Sequence, residues 1–367
     1  MSEPFLPGLL FRLPETPRKI AIVRASRIGD FVCATPAFRA IRKALPLAEI
    51  SLIAMPFLAE LVKRSPQIDR FIPFPGFLGM AEQFFDPRKV VQFYQEMQGE
   101  QFDLAIQMHG SGVYSNPFTL MLGAKTTAGF IRPGDPAGKL AAALPISATQ
   151  NEVKKVLSLV RFLGIEPQGE TTEFPLGIED LKAAEMLITT AKKPLIGLHP
   201  GAREVTKRWA VENFIGVGKA LQREFGGTVV LLGGEEEIPT AELIAENIGQ
   251  ETLNLAGKTS LPELGGILTK LALLITNDSG PAHIAYALST PSITIFGGTD
   301  PQVWGPLNTE MHKILLHKVS CHPCDRATCS VGYLCLEGTT VTQVFDIAKA
   351  LIQKIPITGN KLKIKHP

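Results

Sequence analysis

Residues 271–296, "LALLITNDSGPAHIAYALSTPSITIF", decide the architecture. Leu271–Thr276 is a short apolar run of strand length. Asp278-Ser279-Gly280 interrupts it, and Pro281 occupies the first helical position that proline favours. Pro281–Leu288 then reads as a helix and Ser292–Phe296 as a second strand. Strand, turn, helix and strand in this order form one βαβ unit, which lays two parallel strands side by side under a covering helix.

The same rhythm extends in both directions. Towards the N-terminus of the second half, Pro194–Leu198 and Thr228–Leu232 read as strands, with Val211–Phe225 and Pro239–Ile248 as helices. Thr252–Leu255 is a further short strand, Leu261–Leu268 is helical, and Val341–Ile352 closes the chain as a helix. The first half gives strands at Lys19–Val23, Glu49–Ala54, Asp69–Phe74 and Phe102–Gln107. Helices are expected at Thr35–Leu45, Pro56–Lys63, Lys89–Gln98, Glu152–Leu163 and Leu181–Thr190. Between Ile131 and Phe174 the periodicity weakens. The expected organisation is α/β, with two doubly wound Rossmann-like domains facing across a cleft. Their boundaries are 1–190 and 191–340, followed by a C-terminal helix and basic tail over 341–367. In such sheets ligands sit at the carboxyl ends of the strands.

Composition agrees with a globular chain of about two domains. There are 367 residues, 45% hydrophobic and 20% charged. The 37 Lys and Arg against 35 Asp and Glu leave a formal net charge of +2, well short of the excess that wrapping duplex nucleic acid demands. No nucleic-acid partner is expected. Lys354, Lys361, Lys363 and Lys365 form a basic tail, which reads first as solvated and second as a contact for an anionic membrane surface. No apolar run approaches the ~18 residues that span a bilayer. Met1–Leu13 lacks the charged start and cleavage site of an export signal. Five cysteines without such a signal indicate a reducing compartment, the cytoplasm.

Five segments carry side chains suited to chemistry. In Arg24-Ala-Ser-Arg-Ile-Gly-Asp30, after the first strand, Asp30 is either a base that accepts a hydroxyl proton or a helix cap. In His199-Pro-Gly-Ala202 and Thr206-Lys-Arg-Trp209, Gly201 permits close backbone approach. Thr206 and Lys207 can meet phosphate oxygens, and Trp209 reads as core. His199 is equally a packed loop histidine or a ligand contact. Gly233-Gly234 followed by Glu235, Glu236 and Glu237 offers room for a ring and an acid for ribose hydroxyls, or simply an acidic helix start. Asp278-Ser279-Gly280 leads into a helix N-terminus suited to a diphosphate, with His283 in its first turn. Cys321, Cys324, Cys329 and Cys335 are structural thiols, a structural metal site or disulfide partners; their spacing is not that of paired zinc knuckles.

Together these motifs resemble glycosyltransferase family 9, the ADP-heptose:lipopolysaccharide heptosyltransferases. The carrying segments are "IVRASRIGDFVCATPAFRAIRKALP" (22–46), "LHPGAREVTKRWAVENF" (198–214), "LITNDSGPAHIAYALSTPSITIFGGTDPQVWGP" (274–306) and "CHPCDRATCSVGYLCLEGTTVTQV" (321–344). They run in order over about residues 18–350. The resemblance implies a GT-B architecture and an inverting transfer of heptose from ADP-heptose that needs no metal or other cofactor. It implies an acceptor-binding N-terminal domain, a donor-binding C-terminal domain and a final helix packing back towards the first.

Carried onto this chain, the resemblance makes Asp30 the general base and Lys207 the stabiliser of the departing diphosphate. His199, Gly201, Thr206, Gly233, Gly234, Asp278, Ser279, Gly280 and His283 fall on the donor side, with Glu235 or Glu236 at the ribose. Arg27 and His109 fall on the acceptor side. His109, in "QMHGSGVYSNP", departs from the Gln-Gly common in the family. The implied partners are a nucleotide-sugar donor and a lipid-linked glycan acceptor, with peripheral contact to the inner membrane. Two other readings stand beside this one: a nucleotide-sugar epimerase on the same scaffold, and a non-catalytic nucleotide-sugar or metal-binding module.

Overall fold

A computed structural model describes residues 3–80, 83–147, 149–324 and 326–354. Lys361, Lys363 and Lys365 of the basic tail lie outside the described residues. The chain divides into two compact units, one running to Leu181 and also holding Pro301–Leu307, the other taking Lys182–Asp300 and the remainder.

The first unit is built on six strands: β1 (Lys19–Val23), β2 (Glu49–Ala54), β3 (Arg70–Pro73), β4 (Leu104–Gln107), β5 (Thr126–Ile131) and β6 (Ala142–Pro145). Their order is β3-β2-β1-β4-β5-β6, and every pairing is parallel. Four of the five residues of β1 are buried, and all of β4. A strand covered on both faces gains nothing from alternation, so it reads as a continuous apolar run. The Ile28–Ala44 helix packs on the Glu152–Phe162 helix. Pro36 lies inside the former and cannot donate to the Val32 carbonyl. The Thr35 hydroxyl supplies that bond instead, at 2.7 Å.

The expected helix at Thr35 in fact begins at Ile28, because Arg24 reaches forward and donates to the Asp30 carbonyl at 3.2 and 3.1 Å, pinning the first turn. Asp30 is therefore three positions into the helix. The cap position belongs to Arg27, so the capping reading of Asp30 is set aside. Pro56–Lys63 splits into a 3-10 turn at Pro56–Leu58 and a helix at Ala59–Arg64. The stretch of weak periodicity holds β6, and β5 ends at its edge. β5 opens on threonines and small residues (TTAGFI) and β6 is short and half alanine (AALP), which gives little hydrophobic contrast.

The second unit repeats the plan: β7 (Leu195–His199), β8 (Thr228–Leu231), β9 (Thr252–Asn254), β10 (Leu273–Asn277), β11 (Ser292–Ile295) and β12 (His312–Leu315). The order β12-β11-β10-β7-β8-β9, again all parallel, is the first sheet's order with the strands renumbered. Strand order reverses between β1 and β4 in one sheet and between β7 and β10 in the other, the position where such sheets open a crevice for ligands. Trp209 is 1% exposed and joins Phe214, Val217 and Leu221 of the Val211–Phe225 helix in the core. The final helix, Val341–Lys354, packs on the Val211–Phe225 helix and buries Val344, Ala348 and Leu351 in the second core. The chain re-enters the first unit at Pro301–Leu307, where the Asn151 amide donates to Gly305 O at 3.1 Å. Among the described residues no helix is long and apolar enough to cross a membrane.

Candidate functional site

In the first unit the chemistry gathers after β1 and β4. Arg24 directly follows β1 and is 1% exposed. A buried guanidinium needs counter-charge. Two carboxylates supply it: Glu152 Oε1 lies 2.7 Å from Arg24 Nη2, and Asp30 Oδ1 lies 3.2 Å from the same nitrogen. Arg24 Nη1 donates to the Met108 carbonyl, tying the ends of β1 and β4 together. Glu152, 2% exposed, also holds Lys155 Nζ at 2.5 Å. Burial alone raises the Glu152 carboxyl, but the charges of Arg24 and Lys155 outweigh it and hold the group below the usual range.

Asp30 is the half-exposed member of this network, its side chain at 23%. His109 Nδ1 lies 2.8 Å from the Ser26 hydroxyl. Burial, reinforced by Arg24 and Lys155, pushes His109 down to about 4, so it is neutral at pH 7. Its backbone carbonyl accepts from the Ser115 hydroxyl at 2.6 Å, which fixes the loop. Arg27 flanks Asp30 at the head of the helix.

In the second unit the corresponding edge lies after β7 and β10. Register pairs Thr276 with His199. The His199 Nδ1 sits 3.1 Å from the Thr276 hydroxyl and 3.3 Å from that of Ser279. Burial holds His199 down to about 4, so the ring is neutral there too. Asn277, fully buried, donates to Pro200 O at 2.7 Å and accepts from Trp209 N at 3.0 Å. It thereby fixes both ends of the loop that carries Lys207. Lys207 Nζ reaches Asp278 Oδ2 at 3.1 Å, and the Thr299 hydroxyl donates to the same oxygen at 2.6 Å. Asp278 directly precedes the Ser279 cap of the Gly280–Ala287 helix, which has Pro281 in its first two positions and His283 in its first turn. The ring of His283 meets Tyr286 edge-on at 5.5 Å.

Four further residues expected at the donor have neighbours within the unit that account for them. Thr206 donates its one hydroxyl proton to Arg326 O at 2.6 Å. A Cβ at Gly201 or Gly233 would lie 2.6 Å from the Glu237 side chain, so both glycines make room for that acid. Glu237 in turn accepts from Gly234 N at 2.8 Å. Glu235 and Glu236 are the exposed members of the triplet. Cys321, Cys324, Cys329 and Cys335 are all free thiols, which removes the disulfide reading. Among the described residues no three metal-ligating side chains form a group that holds an ion. Cys329 Sγ accepts from Tyr333 N at 3.3 Å, and Cys335 packs against the second core.

Sequence reasoning missed Arg24, Glu152, Asn277 and Thr299. An arginine directly after an apolar strand carries a weak signal, since its burial demands a partner. Glu152 carries none: it lies 128 positions from Arg24.

Two parallel six-stranded sheets of one order, each with its polar edge at the strand reversal, define the GT-B class of glycosyltransferase fold. Solved structures agree. The glycosyl transferase family 9 protein of Veillonella parvula superposes with a TM-score of 0.78 at 21% identity, covering 92% of this chain and 98% of its own. The Escherichia coli ADP-heptose lps heptosyltransferase II gives 0.74 at 21% identity, over 91% and 98%. The family model for glycosyltransferase family 9 (heptosyltransferase) matches residues 90–334, and the chain belongs to that family. It is similar to the lipopolysaccharide core heptosyltransferase OpsX of Haemophilus influenzae, 24% identical over 80% of this chain and 83% of the relative. Membership makes the chain a glycosyltransferase enzyme and sets aside the epimerase and the non-catalytic module.

Proposed function

We propose that this enzyme transfers heptose from ADP-heptose to a lipopolysaccharide core, with inversion at the anomeric carbon and without a metal ion. The observation that carries the reading is the ammonium of Lys207, held 3.1 Å from Asp278 beside the start of the Gly280–Ala287 helix. A cation next to a helix N-terminus suits the diphosphate of a sugar nucleotide, whose negative charge grows as the glycosidic bond breaks. An ammonium has three donors, and Asp278 occupies one. The names of relatives support heptose and lipopolysaccharide as donor sugar and acceptor class.

In this reading the second unit takes the donor and the first the acceptor, with 341–367 as a closing helix and tail. Asp30 accepts the proton of the acceptor hydroxyl while that oxygen attacks the anomeric carbon. The carbon–oxygen bond to the diphosphate breaks, and ADP leaves with the bonding pair. The transition state has the oxocarbenium character of glycosyl chemistry generally. Lys207, Ser279 and Gly280 meet the diphosphate, and His199, neutral and anchored on Thr276, backs the Ser279 hydroxyl. Asp278 orients Lys207, and His283 braces the helix start. Gly233, Gly234 and Glu235 or Glu236 lie against the nucleoside. Thr206 and Gly201 shape the loop. Arg27 and His109 meet the acceptor. The acceptor's lipid places the enzyme at the cytoplasmic face of the inner membrane.

The test is transfer from ADP-heptose to heptose-deficient lipopolysaccharide in excess EDTA, with the product's anomeric configuration read by NMR. Transfer with inverted configuration is expected. A requirement for divalent cation, or a retained configuration, overturns the mechanism.

A further inference from the structure

Glu152 has no place in the transfer as described, yet it is buried with two cations against it. It comes from the Glu152–Phe162 helix, far along the chain, and meets Arg24 at 2.7 Å and Lys155 at 2.5 Å. The other side of Arg24 Nη2 holds Asp30 at 3.2 Å. Two carboxylate oxygens on one nitrogen lie within about 6 Å of each other. A lone guanidinium at that distance opposes protonation of Asp30, because it favours the carboxylate. A base weakened in this way is a poor acceptor for a hydroxyl proton. Glu152 acts in the opposite sense: it takes the larger share of Arg24 and adds its own negative charge.

We propose that Glu152 is a positioning residue that sets the base strength of Asp30, offsetting the Arg24 charge while Arg24 fixes the carboxylate in place. Lys155, salt-bridged to Glu152, moderates the effect. The inference rests on the reading of Asp30 as the base. Within this unit the charged and titratable groups around the network are Arg24 directly after β1, Arg27 and Cys33 on the helix of Asp30, Glu152 and Lys155 on the facing helix, and His109 after β4. Cys33 is pushed well up by burial first, and then by Glu152 and Asp30, so it stays a thiol. His109 stays neutral above about pH 4. The carboxylates, Arg24, Arg27 and Lys155 then set the local field.

The experiment follows the Asp30 carboxyl by carbon-13 NMR in aspartate-labelled protein, titrated from about pH 3 to 7. The signal is assigned by its loss in Asp30→Asn. Glu152→Gln removes a negative charge and is expected to lower the Asp30 midpoint by about one pH unit. Lys155→Met removes a positive charge from a side chain that is partly exposed, so its fold is the less disturbed, and it is expected to raise the midpoint by about half a unit. In transfer assays with ADP-heptose and heptose-deficient lipopolysaccharide, the acid limb of kcat/KM moves with the midpoint. Glu152→Gln also lowers the plateau kcat roughly 3- to 10-fold, with the KM for ADP-heptose unchanged. A merely structural role moves neither midpoint in opposite directions. Midpoints that stay put, or move together, overturn the inference. Full activity in Asp30→Asn instead overturns the reading of the base, which leaves the two failures distinct.

Discussion

Asn277→Ala removes one side chain that bridges two loops, and its cost follows from the bonds it makes. The side chain is fully buried, its oxygen accepts from Trp209 N at 3.0 Å, and its nitrogen donates to Pro200 O at 2.7 Å. Truncation leaves a buried backbone donor and a buried backbone acceptor unpaired. Each such group costs about 1–3 kcal/mol, so the pair costs about 2–6 kcal/mol. For a unit of this size one kcal/mol moves Tm by about 2–4 °C, so the second unit's transition falls by about 4–24 °C. Scanning calorimetry reads the shift. Asn277→Asp separates the two bonds: its carboxylate still accepts from Trp209 N but faces the Pro200 carbonyl with no proton to give, and it should be at least as damaging. The same loop carries Lys207, so ADP affinity, measured by titration calorimetry, should fall in both variants. A Tm within about 2 °C of the parent would refute the reasoning, because no buried pair of unpaired groups is that cheap.

Asp30→Asn should lower kcat by about 100- to 10,000-fold while ADP binding, measured calorimetrically, stays at the parent value. Lys207→Met should weaken ADP binding about tenfold or more, and the loss should shrink as salt is raised, since a charge-assisted contact is being removed. His109, His199 and His312 are each held at about 4, with burial the principal cause, so the folded form stays neutral while the unfolded chain takes up protons below about pH 6.5. Unfolding near pH 5 therefore binds close to three extra protons from this source, and stability measured by urea titration should fall as pH drops from about 6.5 to 4. His312→Gln should flatten that slope. Glu100 and Asp103 are both lowered to about 2, Glu100 chiefly by hydrogen bonds from Arg70 and Lys19, Asp103 by bonds from Lys125 and backbone amides that outweigh its burial. Their contribution is present above the ordinary carboxylate range and disappears as pH falls towards 2; Glu100→Gln should remove the Glu100 share from the acid limb of the stability curve and leave that of Asp103.

The strands that carry the candidate site were legible because they are buried on both faces. "KIAIV" and "LLITN" are continuous apolar runs with little else to be. The edge strands β3 and β9 were legible as well, whereas β6 and β12 at the opposite edges, and β5 beside β6, were not. β6 has four residues and β12 is only partly buried over three of its four, so neither shows a sustained apolar run and their pattern merges with the loops. The helix around Asp30 was read seven residues short because Arg24–Gly29 looks like loop composition; its start depends on a guanidinium reaching forward, a contact that periodicity does not encode. At the candidate site, His199 at the end of β7 and Asp30, Lys207 and Asp278 in the segments that follow strands were proposed from their place in the βα units. Residues that act through burial of a charge or amide, Arg24, Glu152 and Asn277, were not. Their roles depend on partners many positions away that only the fold brings together.

The return of Pro301–Leu307 to the first unit constrains how this enzyme can be recombined. A chimera that takes its whole C-terminal half from a relative, joined at Leu181, would import a foreign 301–307 strip against a native Asn151, which donates to the Gly305 carbonyl. A fragment ending at Leu181 would lack that strip altogether. Exchanging the second unit therefore calls for two junctions in addition to the one at Leu181, so that 301–307 stays with the parent of the first unit although it is translated in the middle of the second.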